Sequence, residues 1–238
     1  MNAPFPWYIG YDEREHEAYE VCRKSLLRHS TIPLHVVRLN RNSLSWPGYN
    51  GIYTRTFHVE RGQRVDDKDG KPFSTEFSFT RFLVPVLQQY EGWAGFQDCD
   101  MLWRADIADL IRLVDDKYAV MLVKHDHRPK ETVKMDGCAQ TSYPRKNWSS
   151  FVLWNCGHPS IRNLTRDTVN HESGSWLHQF QFLKDAEIGE LNPGWNFLVG
   201  VTPGYIEPKV LHFTQGGPWF PAYENCPFAD EWRAERDR

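Results

Sequence analysis

A chain of 238 residues, 40% hydrophobic and 25% charged, is long enough for one large α/β domain or a domain with an elaboration, and this composition excludes collagen, coiled coil and wholesale disorder. Lys and Arg number 28 against 31 Asp and Glu, a formal charge of −3, so no global basic field gathers a polyanion and nucleic acid is not a favoured partner. The unusual feature is a surplus of large rings, with ten tryptophans and 14% aromatic residues.

The five cysteines, Cys22, Cys99, Cys138, Cys156 and Cys226, are widely spaced and form no C-x-x-C pair. That spacing argues against a disulfide framework or a zinc knuckle and for a reducing, cytoplasmic setting. The start of the chain lacks the basic and apolar blocks of a signal peptide, and no run reaches the roughly 18 apolar residues of a membrane helix, so a soluble protein without a transmembrane segment is expected.

The apolar run Trp7-Tyr8-Ile9-Gly10 reads as a strand, and Glu13 to His29 carries Ala18, Val21, Cys22, Ser25 and Leu26 at helical spacing. Leu34 to Leu39 alternates as a second strand, which makes a βαβ unit and opens a parallel sheet. Residues 40–70, rich in Asn, Gly, Ser, Arg and Asp, read as a long loop with an exposed turn near Asp67. A capped helix is expected from Ser74 towards Tyr90, then a strand Trp93–Gln97, a helix Ile107–Val114 and a strand Ala119–Val123. The second half holds a strand Phe151–Trp154, short helices Leu164–Val169 and Trp176–Leu183, and a strand at Val210–His212. The charged tail from Asp230 to Arg238 reads as a solvated or frayed helix. Alternating strands and helices predict a mostly parallel central sheet flanked by helices, in a single domain.

Asp98-Cys99-Asp100 follows an apolar strand, at the edge where open α/β sheets bind ligands. Two carboxylates there suit a hard divalent cation, manganese or magnesium, held on a substrate diphosphate. His212 ends a later strand as a candidate third ligand, and Gly216-Gly217 after it would let backbone N–H groups approach an anion. A competing motif, His125-Asp126-His127, places two histidines on one face of an extended segment, as in a metal hydrolase. Most tryptophans read as core, with Trp148, Trp154, Trp176, Trp195 and Trp219 the candidates for stacking on a sugar.

The order of these segments resembles the GT-A glycosyltransferases, and most closely the family 8 group of glycogenin and galactosyltransferases. Phe79-Thr80-Arg81-Phe82-Leu83-Val84-Pro85 is similar to that family's Y-R-x-x-x-P helix, and Gly95 to Leu102 to its D-x-D strand end. Ser149 to Asn155 resembles its N-x-G segment, and His212 to Trp219 its closing H-F-x-G-x-x-K-P-W. The resemblance runs from Trp7 to about Phe220 and implies a Rossmann-like nucleotide-diphospho-sugar fold. Residues 1–125 would form its nucleotide-binding half, 126–220 its acceptor side and 221–238 a tail. It implies a metal-dependent, retaining hexosyltransferase that uses a nucleotide sugar, UDP-linked, and a glycan, lipid-linked, protein or small-molecule acceptor.

Carried over by position, Asp98, Asp100 and His212 would hold manganese or magnesium, and Asp98 and Arg81 would meet the donor. Tyr11 and Asp12 would contact base and ribose, Asp126 the donor sugar, and Gly216 and Gly217 the diphosphate. Gln179, from His178-Gln179 in the place of a D-Q pair, would lie near the reacting face, and Trp195-Asn196 resembles a W-N pair near the acceptor. The chain departs from the pattern in two places. Its N-x-G becomes Trp148-Ser149-Ser150, with Asn147 one place away, and the closing Lys is absent, which leaves another cation such as Lys209 to face the phosphates. Those departures keep a non-catalytic nucleotide- or sugar-binding protein of the same fold as the alternative, beside the metal hydrolase.

Overall fold

The computed structural model describes residues 3–45, 51–126, 133–134, 138–139 and 144–238. The βαβ opening is present: β1 (Phe5–Tyr11), α1 (His16–Arg28) and β2 (Leu34–Asn40), with β1 and β2 paired in parallel from Phe5↔Leu34 to Tyr11↔Asn40. Trp7 to Gly10 are all buried, which is why this strand shows a continuous apolar run rather than alternation. A 3₁₀ turn, Glu13–Glu15, leads into α1, capped by the Asp12 side chain. The inner face of α1 carries Ala18, Tyr19, Val21, Cys22, Ser25 and Leu26, the residues its 3.6 period marks.

Residues 40–70 are not one long loop. They form α2 (Arg41–Leu44), β3 (Phe57–Glu60) and β4 (Gln63–Asp66), and β5 (Pro72–Phe73) completes a three-stranded antiparallel ribbon. The β3–β4 hairpin turns on Arg61 and Gly62, both with positive φ, the backbone of a tight two-residue loop. The polar composition that reads as loop is spent on a buried ion pair. Arg55 Nε lies 2.7 Å from Asp66 Oδ1, with both residues at most 2% exposed. Arg55 also donates to the carbonyl oxygens of Val169 and Glu172, which ties the ribbon to the second half of the chain.

The helix expected from Ser74 is shorter than its apolar pattern, a 3₁₀ turn Thr80–Leu83 followed by α3 (Val84–Leu87). Pro85 is confined to the first turn, where its missing N–H costs nothing. Then come β6 (Trp93–Gln97), β7 (Met101–Trp103), α4 (Ile107–Ile111), β8 (Val120–Leu122) and a small antiparallel pair, β9 (Val133–Lys134) with β10 (Cys138–Ala139). The second half contributes β11 (Phe151–Asn155), α5 (Arg166–His171), α6 (Gly174–His178), β12 (Ile188–Glu190), β13 (Phe197–Leu198), β14 (Val210–His212) and α7 (Ala229–Arg236).

The central sheet has the order β12-β8-β11-β6-β1-β2. Only β11 is antiparallel to its neighbours, so five of the six strands run the same way. A second sheet, β13-β14-β7, sets His212 opposite Met101. Among the described residues no helix is long and apolar enough to cross a membrane. Cys22, Cys99, Cys156 and Cys226 carry free thiols.

The tail is packed, not frayed. Trp232 of α7 is 1% exposed in a cluster with Val21, Leu102, Leu211 and Phe213, and the Arg28 Nε–H is shared between both oxygens of the buried Glu235 carboxylate at 3.0 Å. Trp232→Ala is therefore expected to lower stability by about 3–5 kcal/mol, read from the urea midpoint. A solvated tail would leave the midpoint within about 0.5 kcal/mol of the wild-type value.

Candidate functional site

The site starts from the last residue of β6. Gln97 is fully buried, and its Oε1 accepts from the indole N–H of Trp7 at 2.8 Å and of Trp103 at 2.9 Å, while its Nε2 donates to Cys22 Sγ at 2.6 Å. With every polar atom of that amide engaged, the strand end has one position. The next residues are held by their backbones: Asp98 N donates to Ser150 O, and Phe213 N donates to Asp100 O, both at 2.9 Å. Cys99 between them is fully buried, so Asp98 and Asp100 line the opposite, open side.

The pairing of β14 with β7 brings His212 beside them. Asp98, Asp100 and His212 each offer a ligand atom within 4.8 Å of the others. His212 Nε2 lies 3.3 Å from Asp100 Oδ2, and its other nitrogen, Nδ1, lies 2.8 Å from Asn196 Oδ1. A hydrogen-bond chain orients that amide. The Ser150 hydroxyl donates to Asn147 O at 2.7 Å and accepts from Asn196 Nδ2 at 3.0 Å, which turns Oδ1 towards the ring. An amide oxygen only accepts, so Nδ1 carries the proton and in the neutral ring Nε2 holds the lone pair that faces the carboxylates. Two carboxylates and one oriented imidazole are a donor set that fits a divalent cation such as manganese.

These groups form the floor of a cleft of about 370 Å³. One wall is the ribbon and the turn after it, with Asp69, Phe73 and Phe79; the other includes Lys146, Asn147, Ser149 and His178. The ribbon is closed onto the second wall by Asp69 Oδ2, which accepts from Gly174 N at 2.7 Å. Arg81 is 5% exposed. Its guanidinium lies 2.9 Å from Asp98 Oδ1 and donates to Ser149 O at 2.8 Å, so it holds Asp98 as well as lining the cleft.

Glu15 lies in the same cleft at 1% exposure. Burial first, then the charges of Asp100, Asp12 and Asp98, push its carboxyl well above the usual range.

Of the residues read from sequence, the cleft unites Asp98, Asp100, His212 and Arg81. Others are placed elsewhere. Asp12 is fully buried, and its oxygens accept from Arg14, Arg64 and the Glu76 backbone. Burial alone would raise its pKa, but the hydrogen bonds and charges of Arg14 with the charge of Arg64 carry it below the ordinary value. It anchors the loop after β1, with no oxygen left for a ligand. The Tyr11 ring is covered by Arg38 at 4.8 Å and its hydroxyl meets His16.

The side chain of Gln179 turns back to Ser175; the cleft residue of that pair is His178, whose Nδ1 lies 2.7 Å from the Ser149 hydroxyl. Gly216 and Gly217 also lie outside the lining residues, and their lack of a side chain is explained by packing. A Cβ would come within 2.6 Å of Tyr223 at Gly216 and within 1.9 Å of Trp219 at Gly217.

Lys209 sits over the Trp195 ring at 4.7 Å, outside the cleft. The cation that sequence reasoning missed is Lys146, which is 6% exposed and lines the cavity. Asn147 beside it also lines the cleft, and its Nδ2 is buried with no hydrogen-bond partner among the described residues. Asp126 is exposed and outside the lining, and His127 lies outside the described residues. None of the described tryptophans lines the cleft, where the rings are Phe73, Phe77 and Phe79.

No protein-family model matches the chain. Among solved structures, the glycosyltransferase GlyE of Streptococcus pneumoniae is similar over 99% of this chain at 19% identity and a TM-score of 0.60, this chain spanning 60% of it. The galactosyltransferase LgtC, solved with donor and acceptor sugar analogues, is similar over 98% of this chain and 95% of its own at 15% identity and a TM-score of 0.56. These likenesses establish the GT-A fold. The Arabidopsis thaliana protein CDI is 48% identical over 241 residues, which cover 99% of this chain and 87% of that protein. The chain belongs to the family of protein CDI, on a GT-A fold.

Proposed function

We propose that the chain is a retaining glycosyltransferase that moves a sugar from a nucleotide sugar, UDP-linked, to a hydroxyl acceptor, with a divalent cation held by Asp98, Asp100 and His212. The observation that carries this reading is the convergence of those three ligands in one cleft, at the strand end where such a fold binds its donor. The cation, when bound, supplies positive charge for the diphosphate that leaves with the nucleotide.

The chain's own residues do the rest. Asn196 keeps the His212 lone pair on Nε2, and Arg81 fixes the Asp98 carboxylate. Lys146 provides the buried ammonium that the absent closing Lys would have supplied, and Asn147 Nδ2 donates to a donor oxygen. As the bond from the sugar's anomeric carbon to the phosphate oxygen breaks through an oxocarbenium-like state, the acceptor oxygen bonds to that carbon and its proton passes to the leaving phosphate, so no protein nucleophile is required. In this reading residues 1–125 form the nucleotide-binding half and 126–220 the acceptor-side half, with Lys146, Asn147 and His212 of the second half lining the same cleft.

Incubation with manganese and a panel of UDP, GDP, ADP and CMP sugars is expected to release nucleotide from one UDP sugar. Chelator, Asp98→Ala and Asp100→Ala should each reduce that release by at least about 10²-fold. Tight binding without release would favour a binding protein of the same fold, and failure to bind any nucleotide would overturn the assignment.

Asn196→Ala should weaken manganese affinity by about 10- to 100-fold, measured by titration of the free-ion electron paramagnetic resonance signal, while the sugar preference stays the same. Lys146→Ala should lower kcat/KM for the donor by about 10- to 100-fold, as expected for a lost charge-assisted hydrogen bond. Lys146→Arg should restore part of that loss.

A further inference from the structure

Glu15 is a cleft residue whose burial helix capping does not explain. It occupies the N-cap position of α1, yet its side chain makes no capping bond. It turns inward instead, with 1% exposure, towards Cys99 of the Asp98–Asp100 turn. Its Oε2 receives only a long contact from Cys99 Sγ, at 3.9 Å, and its Oε1 is buried with no hydrogen-bond partner among the described residues. A buried carboxyl oxygen left unmatched is costly. Here the cost falls beside two further carboxylates: Asp98, paired with Arg81, and Asp100, whose Oδ2 lies 3.3 Å from the Nε2 lone pair of His212. A divalent cation over Asp98 and Asp100 is the ligand that would turn this repulsion into attraction.

We infer that Glu15 is a positioning carboxyl of that metal centre, acting from the outer shell on water that the cation carries. Its oxygens are not among the ligand atoms that gather within 4.8 Å, which is why a direct bond is not assigned to it. Outer-shell partners of this kind hold first-shell ligands and water in place. The inference rests on the metal reading of Asp98, Asp100 and His212. It adds a residue that lies far from the D-x-D segment in sequence and in none of the motifs that carry the glycosyltransferase resemblance.

The test is manganese binding by the full chain without nucleotide, read from the electron paramagnetic resonance of free manganese and from the relaxation of water protons on the bound ion. Glu15→Gln keeps the shape but cannot take up a negative charge when the cation binds, and it is expected to raise the Kd by about 10- to 100-fold and to change the water relaxation of the ion that still binds. Glu15→Asp should show an intermediate loss, and Asp100→Asn a loss at least as large as that of Glu15→Gln. Wild-type affinity and relaxation in Glu15→Gln, with Asp100→Asn impaired, would overturn the role of Glu15 and leave the metal reading standing. Wild-type binding in both variants, or none in the unsubstituted chain, would overturn the metal reading and this inference with it. If Glu15→Gln does not fold, as judged by circular dichroism, Glu15→Asp decides: an intermediate Kd supports the role and an unchanged one overturns it.

Discussion

The buried amide of Gln97 is the constraint on which the site depends. Two indoles, from β1 and β7, converge on one oxygen, and a thiol from α1 accepts from its nitrogen. Each partner is itself core: Trp7, Trp103 and Cys22 are at most 1% exposed. A fully satisfied polar network in a dry core specifies one arrangement, because any slip leaves a donor or acceptor unmatched at a cost of about 1–3 kcal/mol. The residue immediately after that amide is Asp98. The carboxylates therefore inherit their position from the packing of three elements rather than from the turn that carries them.

Register does the remaining assembly. Because Val210, Leu211 and His212 pair in order with Trp103, Leu102 and Met101, a shift of one residue would turn His212 to the other face of β14 and bury a leucine against the carboxylates. The apolar cluster below this small sheet, closed by Trp232 from α7, resists that shift. Residues near the end of the chain thus support the metal ligands through the strand that they pack on.

Elements with strong periodicity were legible from sequence: the βαβ opening, the strand before Asp98 and the strand ending at His212 all stand where the pattern places them. The grouping of Asp98, Asp100, His212 and Arg81 followed from the likeness of their segments to glycosyltransferase motifs rather than from spacing, and the four line one cleft. What stayed hidden depends on pairing between distant residues. Arg55 and Asp66 look like loop residues until each finds the other in the interior. Asp12 looks like an exposed acid after a strand until Arg14 and Arg64 cover it. Two adjacent glycines suggest an open anion cradle, and only the positions of Tyr223 and Trp219 reveal that ring packing demands them. Glu15 and Lys146 belong to no periodic face, so nothing local marks them as inward.

Lys146 shows how the chain turns an otherwise solvated side chain inward. The residues on either side of it, Arg145 and Asn147, both have φ in the left-handed region, at 60° and 65°. For Asn that is tolerable, but for Arg it costs on the order of 1–3 kcal/mol unless the surroundings hold it. They do: Arg145 lies over the Trp148 ring at 5.1 Å, donates to Gln179 O at 2.6 Å and pairs with Asp185. Asn147 O in turn accepts from the Ser150 hydroxyl, the same hydroxyl that orients Asn196 and through it His212. The backbone that turns Lys146 into the cleft and the network that orients the candidate metal ligand therefore share a residue. A substitution that relaxed this segment would disturb the cationic wall and the His212 ring together.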